Sequence, residues 1–236
     1  MTDRAGLADA YARWRASALG AITERVEARV VLDLAGPLRG RRVLDVGTGD
    51  GTYAIEAARR GARATGLDVD PAMISAARSR SEGAGVDIAL REGRAEALPF
   101  DDGTFDVVVA VTVLCFVPDP AGAVREMGRV LVPGGRLVLG ELGRFSVWAA
   151  ERRVRGWLGS ETWRHARFWS RSGLEALVRE AGLRPFRFRG SVFFPPSGVA
   201  ARLVAPLEPW LTRMRAPGAA FLALAADKVR GPVVDR

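Results

Sequence analysis

Between residues 43 and 139, short apolar runs alternate with longer stretches whose apolar positions recur every three or four residues. A parallel sheet covered by helices on both faces produces that rhythm. Its strands are buried on two sides and read as continuous apolar runs, while each returning helix needs only one apolar stripe. The pattern predicts strands over 42–46, 62–67, 86–91, 105–111 and 136–141, with helices over 51–60, 71–81 and 120–131. Asp70-Pro71 and Asp119-Pro120 mark two helix starts, each placing a side-chain acceptor ahead of a proline in the first turn. Ahead of the sheet, 7–34 has helical spacing and ends at Gly36-Pro37, which predicts one or two covering helices. Behind it, 145–169 reads as helical and tryptophan-rich, 171–181 as a helix stopped by Gly182, and 183–189 as a strand. Pro195, Pro196, Pro206, Pro209 and Pro217 then cut the chain into short pieces before 219–229, whose place after a sixth strand favours a strand.

The expected fold class is therefore α/β: a doubly wound, mostly parallel, seven-stranded sheet. A helical cap is expected over 1–40, a ligand-binding core over 41–141, and substrate-side helices with the remaining strands over 142–236, all in one domain.

Composition narrows this picture. A chain of 236 residues, 48% hydrophobic and 26% charged, can bury a substantial core, which excludes disorder and a collagen-like repeat. One cysteine, Cys115, and one histidine, His165, exclude an internal disulfide and a cysteine/histidine zinc cluster, so a reducing, cytoplasmic setting without a metal is expected. The longest uncharged apolar run, 107–118, is too short to cross a bilayer, and 1–20 lacks a signal-peptide core. A soluble protein follows, with peripheral membrane contact left open and no pattern that sets an oligomeric state. The net charge of +8 divides into −2 over 1–141 and +10 over 142–236. With 34 arginines against one lysine, part of that excess is compositional bias.

Candidate chemistry begins at the first strand. Val43-Leu44-Asp45-Val46-Gly47-Thr48-Gly49-Asp50-Gly51 passes from a strand, through three alternate glycines, into a helix, a turn that brings bare backbone close to a ligand. A dinucleotide fingerprint requires glycine where this chain has Thr52. Asp45 and Asp50 flank the loop and would repel a pyrophosphate, whereas they suit a ligand bringing an ammonium or a sulfonium, both of which S-adenosylmethionine carries. One strand later, Asp68 stands where a carboxylate can accept from two ribose hydroxyls, and Val69 can offer an apolar face to an adenine. Taken singly, the loop could be a tight strand-to-helix connection and Asp68 a helix cap. Their order and spacing together favour the ligand.

These segments resemble the class I S-adenosylmethionine-dependent methyltransferases, particularly the subgroup that includes quinone-biosynthesis enzymes. The likeness runs through 43–51, Gly66-Leu67-Asp68-Val69-Asp70 with Met73, 93–100, Phe105-Asp106-Val107-Val108 and 129–136, and extends more weakly to Tyr11-Ala12-Arg13-Trp14, Gly20 and 172–182. It implies the Rossmann-like methyltransferase fold and S-adenosylmethionine as cofactor. Gly47, Thr48, Gly49 and Gly51 would then hold the methionine part, Asp68 the ribose, Ala95 and its neighbours the adenine edge, and Thr112 would lie beside the sulfonium. Arg94 replaces an aspartate common in the family, so Glu96 or a carbonyl would accept from the adenine amino group. Cys115-Phe116 replaces a histidine pair, so no base carries over.

Methyl transfer is an in-line displacement on an already activated carbon, so the protein mainly aligns a nucleophile and excludes water. Tyr11 and Trp14, near one another on a helix, could close over the ligand or pack in the core; Glu141, at the carboxyl end of the fifth strand, is a candidate substrate contact or a solvated strand end. His165 could act as a base, or cap or pack a helix. The aromatic and arginine-rich tail could form an apolar pocket with a basic rim, a nucleic-acid groove, or core aromatics under solvated arginines. The reading that results is an enzyme transferring a methyl to a small, hydrophobic acceptor. Its rivals are an RNA methyltransferase, with nucleic acid the less favoured partner, and a non-catalytic cofactor-binding module.

Overall fold

The computed structural model describes residues 13–214 and 216–229. Helix α1 (Ala18–Ala35) starts at Ser17, whose side chain accepts from the Gly20 N–H, and stops at Gly36 in the left-handed region. It covers a seven-stranded sheet of order β3-β2-β1-β4-β5-β7-β6. The strands are β1 (Arg42–Val46), β2 (Arg63–Asp68), β3 (Ala89–Glu92), β4 (Phe105–Val111), β5 (Leu131–Leu142), β6 (Leu183–Ser191) and β7 (Phe221–Lys228). β1 pairs in parallel with both β2 and β4, and β4 with β5, while β7 runs antiparallel between β5 and β6.

Crossovers α2 (Thr52–Arg59), α3 (Pro71–Gly83) and α4 (Pro120–Val130) link the parallel strands. Asp70 and Asp119 cap α3 and α4 as their Asp-Pro pairs predict, accepting from the Ala72 and Gly122 N–H groups. Alternation along the strands sends Val43, Val107 and Val109 into one core with Val31 and Leu34 of α1, and Leu44, Val108 and Ala110 into a second core with Val124 and Met127 of α4.

Beyond β5 the structure corrects the sequence reading. The helix expected over 145–169 is two helices, α5 (Val147–Trp157) and α6 (Glu161–Arg164), separated at Gly159 with φ of 105°. Trp169 then pairs with Gly143 as an isolated bridge. After α7 (Arg171–Glu180) and β6, the proline-rich segment forms α8 (Gly198–Val204), a 3₁₀ turn and α9 (Glu208–Arg213). The final segment is a strand, and it lies inside the sheet.

The strand order turns back between β1 and β4, so the crossovers on either side leave in opposite directions. They open a crevice at the carboxyl ends of those two strands, where ligands bind in open α/β sheets.

Candidate functional site

The glycine loop closes that crevice from below. Gly47 has φ of 66°, and a Cβ there would lie 2.4 Å from Cγ2 of Val113, so the position takes no side chain. Gly49 has φ of 54° and faces open space, where a Cβ would protrude into the cleft. Its N–H donates to Oδ2 of Asp68 at 2.8 Å, joining the loop to the end of β2.

Asp45 and Thr48 stand behind this turn. Asp45 is 1% exposed, and its Oδ2 accepts from the Thr48 hydroxyl at 2.6 Å and the Ala54 N–H at 3.1 Å. Burial pushes its carboxyl up to about 7, against the opposing pull of those hydrogen bonds. Gly51 is buried against Ile55 and Ala77. The expectation that Asp45 faces a ligand is therefore corrected: it braces the loop, as do Thr48 and Gly51. Asp50 is corrected likewise. It is buried and ion-paired with Arg80 at 2.6 Å and with Arg15, so its charge ties α3 and the chain before α1 to the back of the loop.

The cleft itself has a volume of about 460 Å³. Gly47, Gly49, Asp68, Val69, Ala95, Glu96 and Thr112 all line it. The carboxylates that face it are thus those of Asp68, Asp70 and Glu96, not those of the loop. Asp68 accepts from the N–H groups of Gly49 and, at 3.0 Å, of Asp70, while burial and then the Asp70 charge push its pKa up. Val69 exposes half its surface to the opening, and Glu96 pairs with Arg94 at 3.3 Å. A hollow of about 680 Å³ between α1 and α2 is larger, but it is walled by charged side chains such as Glu24, Arg25 and Arg59 and lies off the carboxyl edge of β1 and β4.

Thr112 follows β4 with φ of 54°, an uncommon conformation for a residue with a Cβ. Its N–H donates to Gly140 O at 2.7 Å. Such backbone strain gathers at functional sites, where the surrounding structure holds it in place. Here the holding group is Glu141. The side chain is fully buried, and its Oε1 accepts from the N–H groups of Val113 at 3.1 Å and Leu114 at 2.8 Å, fixing the loop that carries Thr112. Burial raises its pKa to about 8. Glu141 is therefore neither the substrate contact nor the solvated strand end expected of it, because the loop after β4 folds down over it.

Sequence reasoning missed Val113, Phe116 and Val117, which form an apolar wall of the cleft. Their only signal is the uncharged run that continues past β4. Trp14 is partly buried in the helical stretch at 13–16 that precedes α1, where its carbonyl accepts from Ser17, and it is not among the residues lining the cleft. Tyr11 lies outside the described residues. His165 is exposed as the residue closing α6. Several arginines of the tail lie on aromatic faces, Arg153 on Phe168 at 4.8 Å and Arg171 on Phe188 at 5.0 Å, so aromatic surface that the sequence offered to a groove is covered from within.

Comparison with known proteins identifies the family. Residues 44–139 match the family described as Methyltransferase domain. The chain is 40% identical over 170 residues to a ubiquinone biosynthesis O-methyltransferase of Methylocella silvestris, covering 69% of this chain and 65% of that one. To the enzyme of the same name from Cereibacter sphaeroides it is 36% identical over 184 residues, covering 75% of this chain and 74% of the relative. The chain belongs to the S-adenosylmethionine-dependent methyltransferases of the quinone-biosynthesis type.

The methyltransferase also superposes on a solved S-adenosylmethionine-dependent methyltransferase of Thermotoga maritima, described as a possible histamine N-methyltransferase. The TM-score is 0.72 at 26% identity, over 93% of this chain and 95% of the other. Its cofactor is S-adenosylmethionine and its reaction is methyl transfer to a small acceptor; the comparisons give no support to the RNA or the non-catalytic reading. The bare backbone at Gly49, the carboxylate of Asp68 at the end of β2 and the apolar face of Val69 fit that cofactor. Among the described residues, no helix of the methyltransferase is long and apolar enough to cross a membrane.

Proposed function

We propose that this methyltransferase O-methylates a hydroxyl on a small, hydrophobic aromatic acceptor of the kind that becomes a quinone ring, in the cytoplasm. The observation that carries the reading is the 36–40% identity, over about seven-tenths of the chain, to enzymes named ubiquinone biosynthesis O-methyltransferases. The apolar wall of Val113, Phe116 and Val117 supports it, because such a wall favours a ring over a charged or strongly hydrated acceptor. A lone buried thiol, Cys115, suits the reducing compartment.

In this reading the first 40 residues cap a cofactor-binding core at 41–141, and 142–236 supplies the acceptor side. When bound, S-adenosylmethionine supplies an electrophilic methyl on a sulfonium. Gly47 and Gly49 would present backbone to its methionine part, and Asp68 would accept from the ribose hydroxyls. Val69 and Ala95 would flank the adenine, with Glu96 as the acceptor for its amino group. Glu141 fixes the loop that carries Thr112 and the apolar wall, which would stand beside the methyl. The chain's contribution to the in-line displacement is then alignment and exclusion of water.

Incubation with methyl-labelled cofactor and either catechol, aniline or thiophenol tests the assignment. Label should appear as a methyl ether of catechol. Label confined to the amine or the thiol would overturn it.

A further inference from the structure

Arg152 follows Trp148 by one turn of α5, and its guanidinium carbon lies 5.0 Å from the Trp148 ring centre and 4.8 Å from that of Trp163 on α6. The first indole is fixed in place: Trp148 is buried, and its Nε1–H donates to Phe194 O at 2.7 Å. Contact with two aromatic rings, one of them anchored by its own hydrogen bond, holds the guanidinium in place.

Among the described residues the N–H donors of this guanidinium have no protein acceptor. Among the described residues no carboxylate stands within 4.0 Å of Arg152 and no hydrogen bond uses its N–H groups. Elsewhere the chain pairs its partly buried arginines closely: Arg80 with Asp50, Arg129 with Asp102 and Arg136 with Asp227, at 2.6 to 3.0 Å. The charges that reach Arg152 from a distance are those of Glu27 on α1, Cys115, Glu151 and Arg155. Desolvation raises the Glu27 carboxyl to about 8, so this neighbour is mostly neutral at pH 7 and balances little of the arginine's charge. Burial also raises the Cys115 thiol, which is therefore neutral as well.

Two ring contacts lead from the guanidinium to the cofactor cleft. Trp163 stands 6.2 Å, ring centre to ring centre, from Phe116, which lines that cleft. An acceptor ring resting on Phe116 would have Trp163 and then Arg152 beside it, on the side of the chain where the net charge is +10.

We infer that Arg152, clasped by Trp148 and Trp163 beside Phe116, is a subsite for a carboxylate carried on the aromatic acceptor. A planar guanidinium fork matches the two coplanar oxygens of a carboxylate, and the two adjacent indoles reduce the water around such a pair. The inference rests on the aromatic-acceptor reading above and deepens it, since it selects acidic rings over neutral ones.

The test compares 3,4-dihydroxybenzoate with catechol as ligands of the protein saturated with S-adenosylhomocysteine, by calorimetry, for the wild type, Arg152→Gln and Arg152→Lys. The affinity of each variant for S-adenosylhomocysteine, measured first, reports that it is folded. The wild type should bind the benzoate about tenfold or more tightly than catechol. That ratio should fall to near one in Arg152→Gln and to an intermediate value in Arg152→Lys, which keeps a charge and loses the fork. A wild type without preference, or a ratio that the substitutions leave in place, would overturn the subsite. Methyl transfer to the same two ligands separates the readings. Arg152-dependent binding without methyl ether formation keeps the subsite and removes the O-methylation proposal, whereas methylation of both with a ratio indifferent to Arg152 does the reverse.

Discussion

The N–H of Gly49 donates to Oδ2 of Asp68 across 2.8 Å, so the glycine loop after β1 and the acidic end of β2 form one rigid wall of the cleft. The carboxylate also accepts from Asp70 N–H, which fixes its orientation before any ligand arrives. Preorganisation of this kind reduces the ordering that binding would otherwise require.

Removing that carboxylate should therefore act on the cofactor twice, through the ribose and through the loop. Asp68→Ala should weaken S-adenosylhomocysteine binding by about 1.5 to 3 kcal/mol, the range for hydrogen bonds to a charged group. Calorimetry measures this directly. An affinity within a factor of two of wild type would remove Asp68 from the site.

Two glycines of the same loop should respond differently to alanine. At Gly47 the new Cβ meets Val113 at 2.4 Å on a backbone already at φ of 66°, so overpacking of about 1 to 3 kcal/mol adds to the left-handed strain. At Gly49 nothing lies within 4 Å, and only the left-handed strain of about 1 to 2 kcal/mol remains. Thermal melts should rank Gly47→Ala as the less stable variant, while Gly49→Ala should lose cofactor affinity out of proportion to its melting temperature. Equal melting temperatures would contradict this account of the loop.

Glu141 sets a pH dependence. Its folded pKa, about 8, lies above its unfolded value near 4.5, so the folded state holds a proton that the unfolded state releases. Its share of stability is complete below the unfolded value and declines as pH rises toward 8. Asp45, raised to about 7, acts in the same direction. Glu141→Gln removes the ionisation and keeps an acceptor for Val113 and Leu114, so chemical denaturation between pH 5 and 8 should show a shallower decline for this variant than for wild type. A parallel decline would mean that Glu141 is ionised in the folded state. Glu141→Ala loses the acceptor altogether and should be the more destabilised of the two variants at pH 6.

Thr112 offers a test of strain against chemistry. Glycine relieves its left-handed backbone, so Thr112→Gly should melt no lower than wild type, although it removes a side chain. If the side chain positions the apolar wall and the cofactor, kcat/KM for methyl transfer should fall about tenfold or more in the same variant. Unchanged kcat/KM would leave Thr112 as a turn residue.

The central elements were legible because burial on two faces leaves a plain imprint. The bounds of β1 and β4, read as 42–46 and 105–111, are the bounds in the structure. The edge strand β3 starts at Ala89, three residues later than read, because no buried position marks its beginning. The break between α5 and α6 is a matter of contacts: Gly156 packs against the backbone at Trp163, where a Cβ would meet atoms 3.0 Å away, and residue patterns cannot register such an approach.

The amino-acid order determined the alternation that builds a parallel sheet, the Asp-Pro helix starts, the glycine turn and the acid one strand later, since each depends on residues close together in the chain. Tertiary structure decided which carboxylates meet the ligand. Asp50 is turned away by Arg80, 30 positions on, and Glu141 is buried under the N–H groups of Val113 and Leu114, 28 and 27 positions back. A charged side chain reads as exposed until its partner is known, and partners so distant in sequence are chosen only when the chain closes its loops in space.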